Sequence, residues 1–317
     1  MPKPSPLLFI QEGAGGRSKQ PVRVKGSPKD YMRFVKMHGA GNDYVYVDAR
    51  NLSDDIEWSD LARRISDRHF GVGGDGLILV LPSKTGVGDV RMRMFNADGS
   101  EAEMCGNGVR CFAKFVLEEG MATLQGEELA VETLAGIIRV QPFLREGEVV
   151  GARVNMGPPR LRPAEIPVGV DGTGPVIDHP LTVDGQQLKL TCVSMGNPHA
   201  VAFIQRPVAE FPLLTIGPKV EHHPLFPKRV NFEIVNAEGR GRLRARVWER
   251  GSGETLACAT GACGLVVAAH LKGLVDDHVE VHMPGGILKV EWLGEGDVYL
   301  EGPAERVFEG EWTLPKG

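Results

Sequence analysis

The chain has 317 residues, 42% hydrophobic and 24% charged, ordinary usage for one large or two medium soluble domains. Its 36 basic and 41 acidic side chains leave a formal charge of −5, which argues against a nucleic-acid partner held by bulk charge. No run approaches the roughly 18 apolar residues of a membrane span; five cysteines, an odd number, suit a reducing, cytoplasmic compartment better than a disulfide framework.

Residues 1–30 hold five Pro, four Gly, six basic and two acidic side chains, and their one apolar run, Leu7-Leu8-Phe9-Ile10, is too short for a signal-peptide core. This composition predicts a poorly ordered tail; a transit segment, an added edge strand and a start at Met32 are the other readings. Short β-branched runs between turn residues then predict strands at 44–48, 77–81, 90–95, 129–133 and 137–141. Further strands are expected at 153–156, 188–194, 199–204, 230–235, 242–249, 279–283, 288–292 and 298–302. A helix is expected from Ser59 to about His69, stopping before Gly71. Two more follow cysteines. Residues 109–118 carry one polar stripe, Arg110, Lys114 and Glu118, and residues 262–271 are apolar almost all round, which places that helix inside the protein.

An internal repeat organises these elements. The run from Asn96 to Gly108 and the run from Glu249 to Gly261 both contain Gly-Ser, an acid and then Cys-x-(Asn/Thr)-Gly, with Cys105 and Cys258 lying 153 residues apart. Gly41-Asn42 matches Gly196-Asn197 at an offset of 155, and Asp75 matches Asn231 at 156. The common order predicts two related α+β halves, each a sheet wrapped around one central helix.

Cys105 and Cys258 each precede a helix N-terminus among glycines, where unpaired N–H groups and the helix dipole hold anions and favour thiolates. Glycines at 106, 108 and 261 let the backbone approach a ligand closely. Two facing thiols suit metal binding, redox exchange, or proton removal from one face of a carbon with delivery on the other. Metal sites want tighter Cys/His spacing, and the local Cys-x-x-Cys of redox proteins is absent. Near-neutral thiols fit the proton-transfer task. Cys111, Cys192 and Cys263 read as structural.

Together, Met37-His38-Gly39-Ala40-Gly41-Asn42-Asp43, Phe95-Asn96-Ala97-Asp98-Gly99-Ser100, Cys105-Gly106-Asn107-Gly108, Gly196-Asn197-Pro198-His199, Arg229-Val230-Asn231 and the run from Trp248 to Cys258 resemble the diaminopimelate epimerases. The resemblance extends from about Met32 to the C-terminus. It implies cofactor-independent interconversion of LL- and meso-diaminopimelate, in lysine and peptidoglycan biosynthesis, by a homodimer with no metal. It also implies two domains, 32–149 with 304–317 and 150–303, beyond an extension at 1–31. By matching motif, Cys105 and Cys258 are the acid/bases, assisted by His199 and Glu249. Asn42, Asn96, Asn197, Asn231 and Arg250 bind substrate, and Gly106, Asn107, Ala259 and Thr260 hold its reacting carboxylate. A substrate with two amino-acid ends fits such neutral polar groups and one forked Arg. Gly76, where some members have Gln, and Ala259, where Gly is usual, depart from the pattern. A proline-racemase-type enzyme would keep both cysteines but leave Asn96, Asn231 and Arg250 unpaired. A non-catalytic thiol-redox protein would instead predict a reversible Cys105–Cys258 disulfide.

Overall fold

The computed structural model describes residues 31–53, 55–124 and 126–314. The expected tail lies outside them, except that Tyr31 already opens the first strand. The first half runs β1 (Tyr31–Gly39), β2 (Asn42–Asp48), α1 (Trp58–Ser66), β3 (Gly76–Leu81), β4 (Val90–Asn96), β5 (Glu101–Ala102), α2 (Gly106–Glu118), β6 (Leu129–Thr133), β7 (Gly136–Arg145) and β8 (Glu148–Asn155). The second runs β9 (Val176–Val183), β10 (Gln186–Ser194), β11 (Pro198–Phe203), α3 (Leu213–Glu221), β12 (Asn231–Gly239), β13 (Arg242–Glu249), β14 (Gly253–Thr255), α4 (Ala259–Leu271), β15 (His278–Met283), β16 (Gly286–Glu291) and β17 (Tyr299–Pro303), with β18 (Glu305–Thr313) last.

The repeat read in the sequence is a repeat of strand pairing. In the first half β1–β2 is antiparallel, β2–β3 parallel, β3–β4 antiparallel, β4–β6 parallel, and β6–β7–β8 antiparallel. In the second half β10–β11, β11–β12, β12–β13, β13–β15 and β15–β16–β17 follow the same sequence of senses. β9 pairs outside β10, and β18 returns to pair outside β1, so the last strand fills in the first half the place that β9 fills in the second. The equivalent strands β8 and β17 pair with each other and join the halves.

The central strands are covered on both faces, which is why β3 reads as a continuous apolar run, Gly-Leu-Ile-Leu-Val-Leu. Ile78 and Val80 pack with Phe112 and Val116 of α2, while Leu77 and Leu79 pack with Leu61 and Ile65 of α1. In the second half Val201 and Val235 meet α4, and Ala200 and Ile234 belong to the cluster of α3. As expected, α4 is buried along almost its whole length. No described helix is long and apolar enough to cross a membrane.

Several expectations need correcting. Both central helices begin immediately after their cysteines, three residues before the apolar pattern does, because Gly106-Asn107-Gly108 and Ala259-Thr260-Gly261 carry no apolar periodicity. α1 stops at Ser66 because Asp67 turns extended and its Oδ1 accepts the N–H groups of His69 and Phe70 at 2.7 and 2.8 Å. Strands β1, β9 and β18 and the short β5 and β14 lie outside the expected set; β9 contains Pro180, and β18 is exposed along most of its length, so it shows no buried face. Helix α3 hides behind Gly217 and Pro218; a Cβ on Gly217 would lie 2.6 Å from the Trp248 ring that packs there.

The polar stripe of α2 does not face water, since Arg110 and Lys114 are buried. Arg110 passes beneath the first turn of its helix, donating to Gly106 O at 3.1 Å, Asn107 Oδ1 at 2.9 Å and Pro303 O at 3.3 Å. A buried cation with only neutral acceptors is held by the fork of its guanidinium, which Lys cannot reproduce. Arg110→Met leaves buried Asn107 Oδ1 without its donor and removes the tie to Pro303 O, and should cost about 2 to 3 kcal/mol; Arg110→Lys should recover little. A urea midpoint unchanged in Arg110→Met, at constant m, would contradict this.

Candidate active site

Each cysteine is the N-cap of its helix. Cys105 (φ −133°, ψ 120°) and Cys258 (φ −123°, ψ 120°) are extended, and each sulfur accepts the N–H three residues on, of Gly108 or Gly261, at 3.4 Å. A sulfur does here what Ser or Asp does in most helices. The two N-termini meet. A Cβ on Gly106 would lie 2.7 Å from Cβ of Ala259, and Asn107 Nδ2 donates across the halves to Ala257 O at 3.2 Å. The second departure, Ala259, thus sits against a residue that must be glycine.

Around Cys105 the polar groups come from the first half. A two-residue turn with Ala40 (φ 54°) and Gly41 (φ 82°) both left-handed links β1 to β2 and delivers Asn42. The Cys105 thiol donates to Asn42 Oδ1 at 3.3 Å and accepts from the Tyr44 hydroxyl at 3.7 Å. Asn42 cannot turn over: its Nδ2 donates to Asp75 Oδ2 at 2.6 Å, and its Oδ1 also accepts from Asn107 Nδ2 at 3.3 Å. The Asn107 side chain is thus a structural bridge, leaving its backbone amide, which also faces Cys105 Sγ, for a ligand.

Around Cys258 they come from the second half. Thr260 Oγ1 lies 3.5 Å from the sulfur and accepts from Asn197 Nδ2 at 3.1 Å. Asn197 Oδ1 meets His199 Nε2 at 3.1 Å, and His199 Nδ1 pairs with Glu233 Oε1 at 2.6 Å, both residues fully buried. The Glu249 carboxylate faces the Cys258 thiol and accepts the Thr255 hydroxyl at 2.5 Å. Asn231 lies beside His199 in the β11–β12 ladder, donates to Pro198 O at 3.0 Å and accepts Arg250 N–H at 2.8 Å.

Two expected residues stand further out. The Arg250 guanidinium is exposed and donates only to Lys228 O, at 3.1 Å. Asn96 Nδ2 donates to Ser100 Oγ at 3.0 Å and reaches the Cys105 cluster only through its β3 neighbours. The first departure, Gly76, is obligatory: a Cβ there would fall 2.1 Å from Phe95 O and 3.0 Å from the Tyr44 ring. Tyr44, Asp75, Glu233 and Thr255 were not singled out from the sequence. Glu233 had a legible signal, a carboxylate inside the apolar run Phe232-Glu233-Ile234-Val235, which burial permits only with a partner.

Burial raises both thiols above the usual cysteine value. For Cys105 the Gly108 N–H and the Tyr44 hydroxyl oppose it; for Cys258 the Glu249 charge adds to it, and the thiol is pushed well up. Burial likewise raises Glu249, against the Thr255 hydrogen bond, and Glu233, against His199. Cys111 is pushed up to about 11 and Cys192 to about 12, with Cys263 higher still. Among the described residues no group of His, Cys, Asp and Glu is arranged to hold a metal ion.

The family model for diaminopimelate epimerase matches residues 34–162 and 191–307. The chain is 53% identical to the diaminopimelate epimerase of Moorella thermoacetica over 285 residues, covering 89% of this chain and 100% of that one. The chain belongs to the diaminopimelate epimerase family. It is therefore an isomerase. The Acetivibrio thermocellus epimerase is 50% identical over 285 residues, 89% of this chain and 99% of its own. Among solved structures the fold matches a Bacillus anthracis phenazine biosynthesis protein of the PhzF family (TM-score 0.66, 20% identity, 90% of this chain and 99% of that one). It also matches a hydroxyproline epimerase from Agrobacterium vitis (TM-score 0.65, 16% identity, 90% and 94%). For this epimerase we expect iodoacetamide at pH 8 to label Cys105 first and Cys258 more slowly. Cys111, Cys192 and Cys263 should stay unlabelled until the protein unfolds. Peptide mass spectrometry reads the order, and early labelling of Cys263 would contradict it.

Proposed function

We propose that the chain interconverts LL- and meso-2,6-diaminopimelate by a two-thiol mechanism. The observation that carries this reading is the convergence of two equivalent capping thiols where the N-termini of α2 and α4 meet. One cysteine, as thiolate, takes the α-proton; the other, as thiol, gives a proton to the opposite face. The thiols thereby exchange states. The reacting carboxylate lies on the amides of Gly106, Asn107, Ala259 and Thr260, where two helix dipoles stabilise the charge that builds up as the α-carbon loses its proton. His199 and Glu249 assist the thiols, and Asn42, Asn96, Asn197, Asn231 and Arg250 bind the polar groups of the substrate. Two thiols suffice to exchange a proton, so the reading calls for no cofactor.

The same reading divides the chain into 32–149 with 304–317 and 150–303, closing on substrate between them; the pairing of β18 with β1 supports it. It places the enzyme in lysine and peptidoglycan biosynthesis, in the cytoplasm, as a homodimer.

In D2O the product epimer should carry deuterium from the first turnover while the starting epimer lags, since a single base would label both together. Cys105→Ala and Cys258→Ala should each abolish epimerisation with either substrate. Near-normal epimerisation by either variant would end the two-thiol mechanism.

Two further outcomes follow from this reading. Arg250→Lys keeps the charge but loses the planar fork, so kcat/KM should fall about tenfold or more; an unchanged value would remove Arg250 from the site. Glu249 must be ionised to receive the Cys258 proton, and its raised pKa sets an acid limb above the ordinary carboxylate range. Thr255→Val removes a hydrogen bond to the charged form, raising that pKa further, so the acid limb of kcat/KM should move to higher pH.

A further inference from the structure

We propose that Tyr44 is a further catalytic residue: its phenol donates a hydrogen bond to the Cys105 sulfur and stabilises the thiolate formed whenever Cys105 gives up its proton. This rests on the two-thiol reading. The hydroxyl lies 3.7 Å from Cys105 Sγ, within reach of a sulfur acceptor, on a side chain that is 5% exposed. Its place in the repeat is an independent argument. Tyr44 and His199 stand 155 residues apart, the offset that also separates Asn42 from Asn197. Each opens the parallel ladder of its half, Tyr44 opposite Gly76 and His199 opposite Asn231. Tyr44 is thus the first-half counterpart of His199. Gly76 makes the substitution possible, since any side chain there would strike the phenol ring.

The charged and titratable groups around this pair are Tyr46 on β2, whose hydroxyl is spent on Gly108 O, Asp75 after α1, Glu249 at the end of β13, and Arg110 and Cys111 on α2. Asp75 and Glu249 oppose a thiolate at Cys105 and Arg110 favours one. Tyr44 adds a donor that does not itself ionise, because burial and the neighbouring thiol keep the phenol protonated well above its ordinary range. Asn42 Oδ1 holds the proton when Cys105 is a thiol; the phenol holds the charge when it is not.

Tyr44→Phe removes one oxygen and keeps the ring against Gly76, so the fold should be retained, which a melting curve checks. The pH midpoint for iodoacetamide alkylation is measured for Cys105 and Cys258 in the same molecules by mass spectrometry. The Cys105 midpoint should rise by about 0.5 to 1 unit with Cys258 unmoved, and kcat/KM should fall several-fold. An unmoved Cys105 midpoint, an unchanged kcat/KM, or an equal shift at both thiols overturns the proposal alone. Epimerisation by Cys105→Ala overturns the two-thiol reading and this proposal with it.

Discussion

Two helices whose positive ends meet impose the constraint on which the rest of the structure depends. Each N-terminus carries roughly half a positive charge on N–H groups without helical partners. The contact of Gly106 with Ala259 brings both into one small volume. Like ends repel, so the arrangement is stable only with compensation. The two sulfurs supply part of it as caps, and the Asn107 bond to Ala257 O ties the ends together. On the proposed function, a substrate carboxylate between the helices supplies the remainder. On that proposal the helix ends hold the carboxylate more strongly still as negative charge spreads into it from the reacting carbon.

Holding that geometry requires much of the molecule to be fixed far from the thiols. Arg110 locks the first turn of α2 to Pro303, where the chain crosses back from β17 to β18. Glycine at two neighbours leaves it room: a Cβ at Gly39 would meet Asn107 O at 3.0 Å and the guanidinium at 3.1 Å, and one at Gly302 would meet Leu288 at 2.7 Å and the guanidinium at 2.9 Å. Arg110 also occupies the Asn107 oxygen, turning the Asn107 amide nitrogen toward Asn42. Asp75 turns Asn42 from the other side. The acceptor facing Cys105 is thus set by two charged residues that never touch the sulfur.

How much of this was legible depends on which signals stay local. The repeat, the capping cysteines and the buried helix α4 were readable because each writes itself into a short stretch. Elements that carry no apolar pattern of their own and rest on distant partners are not legible. β18 is exposed and holds its place by pairing with β1, and α3 tolerates Gly217 because a tryptophan packs on it. The burial of Arg110 could not be read from an i, i+4 polar stripe, since its acceptors include Pro303 O on a strand far along the chain. Of the residues named from the sequence, Asn42 and Asn107 share one hydrogen-bonded cluster with Cys105, and Asn197, His199 and Thr260 share another with Cys258. The Arg250 and Asn96 side chains stand outside both clusters, bonded to Lys228 O and Ser100 Oγ, and their part in binding rests on the proposed function.

The repeat also separates what must be equal in the two halves from what must not. Both sulfurs have the same backbone, the same N–H three residues on and one hydroxyl each, Tyr44 for Cys105 and Thr260 for Cys258. Their acceptors differ. Cys105 faces an amide oxygen, which can hold a thiol proton but not take it, whereas Cys258 faces Glu249, a carboxylate that can. A symmetric pair of bases would be required only if the substrate presented mirror-related surroundings on its two faces. Diaminopimelate does not, because its second stereocentre keeps the two epimers from being mirror images. On the two-thiol proposal, an epimerase of this fold can therefore keep the scaffold symmetric, so that the thiols address opposite faces of one carbon. Each acid–base partner is then free to differ, and the sequence shows that divergence where Tyr44 and His199 occupy equivalent positions.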